Sequence, residues 1–392
     1  MEGDFIKINK SLLPLSWLYG LAVNLRNTLF NIGLLKSRAF DVPVISVGNI
    51  TVGGTGKTPH VEYLVRLLQD QFNVAVLSRG YKRKSKGFIK ASTATAMTEI
   101  GDEPYQMKQK FPNVTVAVDK SRCHGIDQLT TDDSALDVIL LDDAFQHRYV
   151  KPGINILLVD YHRLIIYDEL LPAGRLREPL NGKDRADVVI ITKCPKDLKP
   201  MEYRVITKAM ALYPYQQLFF TTLEYGELKP LFSPTKEVPS VAALSQLKDS
   251  HVLLLTGIAS PEQLQHDLKP YAADITPLSF PDHHQFKEKD VQLINDTFAA
   301  LPSPRIIITT EKDATRLQQT EGLSSLVCAN LFIIPIQVCF MLEQDNSFNS
   351  YIINYVHKNS RNSILVKTKD DHKPQDGDCA GNRPRTISFR NY

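Results

Sequence analysis

The segment VPVISVGNITVGGTGKTPHVEYLVRLLQ (residues 42–69) contains the strongest structural signal in this sequence. It starts as an apolar strand rich in β-branched residues, passes through a glycine-rich turn, and continues with apolar residues at helical spacing. Backbone N–H groups of such a turn, together with the positive end of the helix that follows, bind phosphate oxygens. The segment therefore predicts a phosphate-binding loop in an α/β domain.

Within this loop, Lys57 is expected to reach the β- and γ-phosphates, and the Thr58 hydroxyl is expected to bind Mg²⁺. The general motif has glycine where this chain has Thr51. A glycine-rich turn without a ligand is the alternative, but the order of strand, GKT and helix favours nucleotide binding. The predicted nucleotide-binding residues are Thr51, Val52, Gly53, Gly54, Thr55, Gly56, Lys57 and Thr58.

Two adjacent carboxylates, Asp142 and Asp143, follow the apolar run LDVILL (136–141). A carboxylate at the carboxyl end of a parallel strand beside a phosphate loop typically holds Mg²⁺. The alternative is a strand end that faces solvent, and the GKT motif upstream favours the metal. The nearest counterpart of a guanine-reading NKxD string is TKCP (192–195), which lacks the Asp. ATP is therefore the predicted nucleotide.

Apolar strand-like runs alternate with helical patterns along the chain. The fold class predicted from this pattern is a P-loop NTPase-like, doubly wound parallel sheet with a second, smaller α/β domain and an N-terminal membrane-interface helix. The predicted divisions are an amphipathic helix in 1–36, the nucleotide-binding domain in 37–220, an extended linker in 221–250, a C-terminal α/β domain that closes the ATP cleft in 251–358, and a disordered polar tail in 359–392.

Composition and charge exclude several classes of protein. The chain of 392 residues is 43% hydrophobic and 23% charged, which excludes disorder as the dominant state. Its five cysteines form no CxxC pair, which favours reduced thiols over a zinc knuckle or a disulfide framework. The formal net charge is +3, and the excess of basic over acidic residues lies at the two ends of the chain. That distribution argues against a nucleic-acid partner.

The N-terminal segment favours an anionic membrane surface as a partner. SLLPLSWLYGLAVNL (11–25) contains no charged residue, but it is too short and too polar on one side to span a bilayer. Trp17 and Tyr19 suit the membrane–water interface. The alternative is an amphipathic helix buried on the body of the protein.

Several strings, taken together and in order, resemble the tetraacyldisaccharide 4′-kinase family of lipid A biosynthesis. The resemblance runs from about residue 10 to about residue 355. The strings are LLPLSWLYG (12–20), VGNITVGGTGKTP (47–59), LSRGY (77–81), GDEP (101–104), LLDDAFQH (140–147), LPAGRLREP (171–179), FPDHHQF (280–286) and TTEKDA (309–314). The departure at Thr51 also resembles the family's own pattern.

The resemblance implies transfer of the ATP γ-phosphate to the 4′-hydroxyl of an acylated glucosamine disaccharide 1-phosphate, a lipid A precursor, in lipopolysaccharide biosynthesis. It implies ATP and Mg²⁺ as cofactors. It also implies a peripheral or monotopic enzyme at the cytoplasmic face of the bacterial inner membrane.

The resemblance further implies roles for individual residues. Asp102 matches the catalytic base, His283 matches a histidine that supports it, and Arg177 and Glu178 match a pair near the phosphates. The implied catalytic set is Asp102, His283, Lys57 and Arg177; the implied metal set is Thr58, Asp142, Asp143 and Glu178; Glu103 and Asp282 are second-tier candidates. Without the resemblance, Asp102 reads as a helix cap, His283 as a surface residue, and 177–178 as a solvated ion pair.

Other interpretations of the function stay open at this stage. A basic run spans residues 79–90 and contains Arg79, Lys82, Arg83, Lys84, Lys86 and Lys90. Its positive charge fits attraction of either the substrate 1-phosphate or anionic lipid. The alternative is a flexible loop that is solvated. The alternatives to the lipid kinase are a kinase of a soluble small molecule and a nucleotide-dependent membrane switch with no acceptor. GDEP and FPDHH argue against a switch, which needs no base for a sugar hydroxyl.

Overall fold

A computed structural model describes residues 8–232, 243–258, 261–282 and 284–360. Its strands are β1 (Val44–Gly48), β2 (Val74–Ser78), β3 (Ile89–Lys90), β4 (Thr115–Val118), β5 (Val138–Asp142), β6 (Ile154–Asp160), β7 (Val188–Thr192), β8 (Gln217–Tyr225), β9 (Lys229–Pro230), β10 (His251–Thr256), β11 (Asp274–Ser279), β12 (Arg305–Thr310), β13 (Leu331–Ile334) and β14 (Ile336–Phe340). Its helices are α1 (Leu13–Asn31), α2 (Lys57–Leu68), α3 (Met97–Ile100), α4 (Asp102–Lys110), α5 (Arg122–Asp132), α6 (Pro200–Met210), α7 (Pro261–Leu268), α8 (Glu288–Ala300), α9 (Glu311–Leu317), α10 (Ser325–Asn330) and α11 (Asp345–Asn359).

The described strands form two sheets. The larger has nine strands among the described residues, in the order β14-β8-β7-β6-β1-β5-β2-β4-β3, and is parallel except at β14 and β3. The smaller has the order β11-β10-β12-β13-β9 and is parallel except at β9. We refer to the elements on these sheets as the large unit and the small unit. The predicted α/β class with a parallel sheet and a second, smaller sheet is confirmed.

The large sheet is buried on both faces, which explains its continuously apolar strands. Every residue of β1, β2 and β5 is buried. Helix α2 covers one face with Val61, Leu64, Val65 and Leu68, all at most 1% exposed. Since β1 lies beside both β5 and β6, the turn after β1 and the acids at the end of β5 meet at one edge of the sheet.

The segment LFIIPIQV (331–338), predicted to lie wholly in the second domain, is divided by Pro335. Strand β13 before the proline pairs with β12 in the small sheet, whereas β14 after it pairs antiparallel with β8 in the large sheet. Proline has no N–H to donate to a ladder, so the run cannot continue as one fully paired strand.

The predicted boundary of the second domain at residue 358 therefore needs correction. The chain returns to the large unit at β14, and α11 packs Phe348, Ile352 and Val356 into its core. The predicted linker also differs, because β8 extends to Tyr225 and β9 joins the small sheet. An apolar strand pattern shows that a segment is extended and buried, but it does not show which sheet receives it. The predicted tail lies outside the described residues from 361 onward.

Helix α1 packs on the large unit through four buried residues. Ser16, Gly20, Asn27 and Phe30 are its buried positions. The Ser16 hydroxyl donates to the carbonyl of Leu170 (2.9 Å) and accepts from the N–H of Ala173 (2.9 Å). The outward face carries most of the large apolar side chains, namely Leu13, Leu15, Trp17, Leu18, Leu21 and Leu25. Among the described helices, none combines the length and apolar character that crossing a bilayer requires.

Candidate active site

The phosphate-binding turn lies between β1 and α2, as predicted. Gly53 (φ 122°) and Gly56 (φ 80°) adopt left-handed backbone conformations that residues with a Cβ rarely take. Gly56 is the N-cap of α2, so the first N–H groups of the helix open directly onto the turn. This local geometry explains why the sequence requires glycine at both positions, and it forms an anion-binding surface.

A lysine missed as a site residue at the sequence level supports the turn. Nζ of Lys193 lies 2.5 Å from the carbonyl of Gly54 and 2.7 Å from Oδ2 of Asp160. The Thr192 hydroxyl donates to the carbonyl of Thr55 at 3.0 Å. The sequence could have indicated Lys193 as a site residue, because it directly follows the buried strand β7 and so lies at the carboxyl edge of the sheet.

The two acids at the end of β5 lie beside this turn. Asp142 is the last residue of β5 and pairs in register with Val47 of β1. Asp143 follows with φ 48° and is more exposed. Its carboxylate lies 3.5 Å from Nζ of Lys57 and 3.9 Å from Nη1 of Arg177. The fold thus brings Lys57, Asp143 and Arg177 together from three separate sequence motifs.

Burial controls the electrostatics at Asp142, which is 5% exposed. Desolvation raises the pKa of Asp142 well above its usual range, and the negative charges of Glu103 and Asp143 raise it further. Beneath it, Nη2 of the buried Arg122 donates to the Asp142 carbonyl at 3.0 Å. Burial lowers the pKa of Arg122 to about 10. The carboxylates form a site whose charge favours a bound cation.

The donor atoms also fit a cation. Oδ1 of Asp142 and Oε1 of Glu178 are buried polar atoms without a hydrogen-bond partner among the described residues. Within these ranges no three His, Cys, Asp or Glu side chains form a cluster able to hold a metal. Mg²⁺ commonly binds through one or two carboxylates and substrate phosphates rather than through an all-protein cage. The observed donors match that pattern.

Arg177 and Glu178 do not form the isolated solvated pair that the simpler interpretation suggests. Glu178 is 1% exposed; its Oε2 lies 2.9 Å from Nη2 of Arg185 and accepts from Nδ2 of Asn27 at 3.4 Å. The carbonyl of Arg177 accepts from the Tyr19 hydroxyl at 2.8 Å. Two residues of α1 therefore contact the site directly. The metal-binding role of Glu178 stays a prediction.

Asp102 lies at the start of α4, directly after Gly101, whose φ is 91°. Its Oδ2 accepts from Nε (3.0 Å) and Nη2 (2.6 Å) of Arg316, which belongs to α9 in the small unit. Arg316 was not predicted as a site residue. The feature of the sequence that could have indicated Arg316 is its position two residues after the TTEKDA string (309–314), to which no site role is assigned.

Acidic and basic residues of both units line the cleft near Asp102. Lys312 lies 3.4 Å from Glu103 and 3.1 Å from Asp282, which brings both second-tier candidates to the cleft. His283 lies outside the described residues. Its neighbour His284 has Nε2 2.8 Å from Oδ2 of Asp290 and stacks on Phe280.

The cleft between the two units extends from the phosphate-binding turn to an apolar region. Leu223 and Tyr225 of β8 and Ile336 at the start of β14 line this region from the large unit, and Ile258 and Leu264 line it from the small unit. A mainly apolar cleft with a few placed polar groups is the usual form of a small-molecule site. The sequence did not predict this region, because its residues come from three distant segments.

The basic run 79–90 is partly tied to the body of the protein. Arg83 donates to the carbonyls of Gly87 (2.6 Å) and Val118 (3.3 Å), and the run ends in the edge strand β3. The ligand-attracting role of this run stays a prediction.

Comparison with known proteins places these motifs in one family. The sequence profile of the tetraacyldisaccharide-1-P 4′-kinase family matches residues 8–357. The chain belongs to this family. The 4′-kinase of Phocaeicola vulgatus is 60% identical over 367 residues, which cover 93% of this chain and 99% of that protein. The 4′-kinase of Bacteroides thetaiotaomicron is 52% identical over 379 residues, which cover 95% of this chain and 100% of that protein.

A solved structure agrees with the family assignment. The crystal structure of LpxK from Aquifex aeolicus in complex with ATP is 34% identical in sequence and superposes with a TM-score of 0.67. The alignment covers 88% of this chain and 98% of that one. The predicted resemblance to the 4′-kinase family is thereby confirmed over nearly the whole described chain.

Proposed function

We propose that this chain is an ATP- and Mg²⁺-dependent kinase that phosphorylates the 4′-hydroxyl of an acylated glucosamine disaccharide 1-phosphate. The observation that carries the proposal is the convergence of Lys57, Asp143 and Arg177 at the phosphate-binding turn of a chain that belongs to the 4′-kinase family. The ATP complex of the Aquifex relative supports ATP as the nucleotide.

The reaction forms a bond from the 4′-oxygen to the γ-phosphorus and breaks the bond from that phosphorus to the β–γ bridging oxygen, which leaves with ADP. The hydroxyl proton goes to the carboxylate of Asp102, with His283 assigned to its support. Lys57 and Arg177 neutralise negative charge on the phosphoryl oxygens, which is the main task of the protein in this chemistry. Thr58, Asp142, Asp143 and Glu178 would hold Mg²⁺, which neutralises phosphate charge when bound.

We assign adenosine to the apolar part of the cleft. The triphosphate then runs along the N-terminal end of α2, where the backbone N–H groups of the turn donate hydrogen bonds to its oxygens. The side chains of Leu223, Tyr225 and Ile336 provide apolar surface for the base. This arrangement directs the γ-phosphate toward Asp143 and Arg177.

The outward face of α1 supports action at an anionic membrane surface, at the cytoplasmic face of the inner membrane. Trp17 is 71% and Leu21 is 59% exposed, while Ser16 and Asn27 of the same helix are buried against the protein. A cluster of exposed apolar side chains marks an interaction surface. Since Tyr19 and Asn27 contact the site from the other face, the helix links the lipid surface to the catalytic cleft.

The test uses purified protein, γ-labelled ATP, Mg²⁺ and detergent-dispersed acylated glucosamine disaccharide 1-phosphate, with Lys57→Ala and Asp102→Asn variants. Label should enter the lipid with the wild type and fall at least ~100-fold in both variants. Lys196→Ala is the control, because Lys196 is an exposed lysine whose ion-pair partner Glu224, at 3.2 Å, is also exposed. Label released solely as free phosphate, with no effect of Asp102→Asn, would favour the switch instead.

A further inference from the structure

Helices α4 and α9 face each other across the cleft, and one contact between them involves the proposed base. Asp102 begins α4 in the large unit, and Arg316 lies in α9 of the small unit. Nε and Nη2 of Arg316 both donate to the same oxygen, Oδ2 of Asp102, at 3.0 and 2.6 Å. The contact joins residues 214 positions apart in the chain.

Arg316 is itself held from behind by the small sheet. Its side chain is 4% exposed, and its Nη1 donates to Oδ1 of Asp313 at 3.1 Å. The Asp313 carboxylate is fully buried, and its Oδ2 accepts from the Gly257 N–H (2.9 Å) and the Thr310 hydroxyl (2.7 Å). Gly257 directly follows β10, and Thr310 ends β12. Two adjacent strands of the small sheet therefore fix the direction of the guanidinium.

The chemistry of this contact requires arginine. A planar guanidinium presents several donors in a fixed fork, so that it binds two carboxylates at once in a set orientation. A lysine ammonium in the same place keeps the charge but loses the fork. A buried guanidinium between two carboxylates also satisfies the rule that buried charges are paired.

We propose that Arg316 is a positioning residue that sets the carboxylate of Asp102 for proton acceptance from the sugar hydroxyl. This inference rests on the proposed function, in which Asp102 is the base. The small unit then contributes to catalysis in addition to lining the nucleotide cleft, because Arg316 reaches Asp102 when α9 lies against α4.

Other ion pairs keep the two helices together without Arg316. Nζ of Lys110 lies 2.7 Å from both Glu62 of α2 and Glu311 of α9. Lys312 lies 3.4 Å from Glu103. Substitution of Arg316 should therefore leave α4 and α9 in contact and preserve the nucleotide cleft. The expected loss lies in kcat and not in the KM for ATP.

The experiment measures kcat and the KM for ATP with the detergent-dispersed lipid acceptor for wild type, Arg316→Gln, Arg316→Lys, Asp102→Asn and the double variant Asp102→Asn/Arg316→Gln. Arg316→Gln should lower kcat about 100-fold, the scale of a misplaced catalytic group, and change the KM for ATP less than about threefold. Arg316→Lys should recover part of the rate. The double variant should be no slower than Asp102→Asn, because both changes disable the same proton transfer.

Arg305→Gln is the matched control for damage to the small unit. Arg305 begins β12 and donates to the carbonyls of Ala299 (2.5 Å) and Leu301 (2.7 Å). Its substitution therefore perturbs the small unit at a place other than the contact with Asp102. It should keep the wild-type kcat, and thermal melting of each variant reports its folding.

The outcomes separate the inference from the proposed function. A kcat of Arg316→Gln within about threefold of wild type would overturn the inference alone. The inference would also fail if Arg316→Gln lowered kcat by the same factor in the wild-type and Asp102→Asn backgrounds. Absence of lipid phosphorylation by the folded wild type would overturn the proposed function and the inference with it.

Discussion

Nζ of Lys57 lies 3.5 Å from Oδ1 of Asp143, which joins the phosphate-binding turn to the acidic pair at the end of β5. The lysine is mostly buried and the aspartate is more exposed, with side chains 15% and 41% exposed. The pair places a positive and a negative group at the position where a nucleotide's terminal phosphates and their metal are expected. The metal requirement of the enzyme is therefore expected to depend on Asp143.

Asp143→Asn should raise the Mg²⁺ concentration that gives half-maximal lipid phosphorylation by about tenfold, because a neutral amide binds Mg²⁺ less well than a carboxylate. Chelation of Mg²⁺ with excess EDTA should abolish transfer by the wild type. The measurement is a magnesium titration of the initial rate at saturating ATP. Asp127→Asn, which alters an exposed ion pair with Arg38, should leave the titration unchanged. An unchanged midpoint in Asp143→Asn would remove this residue from the proposed metal site.

Substitution of the outward face of α1 is expected to separate membrane binding from chemistry. Trp17→Glu with Leu21→Glu places two charges on a surface that we assign to the lipid interface. We expect at least tenfold weaker association with anionic vesicles, and a rate on detergent-dispersed substrate within about threefold of wild type.

Point substitutions suit this question better than deletion of residues 1–36. Deletion also removes Asn27 and Tyr19, which contact Glu178 and the Arg177 backbone in the site. Vesicle sedimentation and rate assays check the prediction, with Leu293→Glu on α8 as an exposed control. Vesicle binding equal to wild type would place the lipid contact elsewhere.

Phe348→Ala tests whether the C-terminal segment belongs to the large unit. Phe348 is 1% exposed and packs against Phe219 of β8 and Phe340 of β14. Loss of a buried phenylalanine costs about 3–5 kcal/mol of unfolding free energy. Urea denaturation should show this loss, and amide hydrogen exchange should accelerate in β8 and β14 more than in β10 and β12. Faster exchange confined to the small sheet would support the original boundary at 358.

The stability of the fold should fall in mild acid partly through His147. Burial, followed by the nearby charges of Arg122, Arg26 and Arg79, lowers the pKa of His147 to about 4. A histidine in the unfolded chain titrates near pH ~6.5. The unfolded chain therefore binds a proton between these values that the folded protein does not, so this stability is complete above the unfolded pKa and is lost as the pH falls toward 4.

His147→Gln should reduce the stability difference between pH 8 and pH 5 by about 1 kcal/mol, after allowance for the partial exposure of the ring. Urea denaturation of both proteins at the two pH values gives this difference. His162→Gln, at an exposed histidine, serves as the control. The same pH dependence in wild type and His147→Gln would contradict the prediction.

Local chemistry accounts for the parts of the site that were predictable from sequence. Gly53, Gly56 and Lys57 belong to one short motif, and the left-handed conformations of the two glycines are properties of the turn itself. Asp142 was predictable because it ends an apolar strand, and parallel strands present their carboxyl ends at one edge of a sheet. The resemblance added Asp102 and Arg177, whose residue types alone carry little information.

Contacts between distant segments account for what was missed. Lys193 supports the turn from the end of β7, and Arg316 holds Asp102 from the small unit. The return of β14 and α11 to the large unit likewise depends on contacts between distant segments. A lysine or arginine in sequence shows neither the partner that its long side chain reaches nor the unit that supplies the partner.

The order of strands, glycines and charged residues in the chain was sufficient for the α/β class, the phosphate-binding turn and the family resemblance, since each depends on residues close together in sequence. The association of the second unit with Asp102, the outward direction of the apolar face of α1 and the division of the chain at Pro335 required the folded structure. These features depend on which surfaces bury each other, and burial is a property of the whole packed molecule that short-range periodicity does not encode.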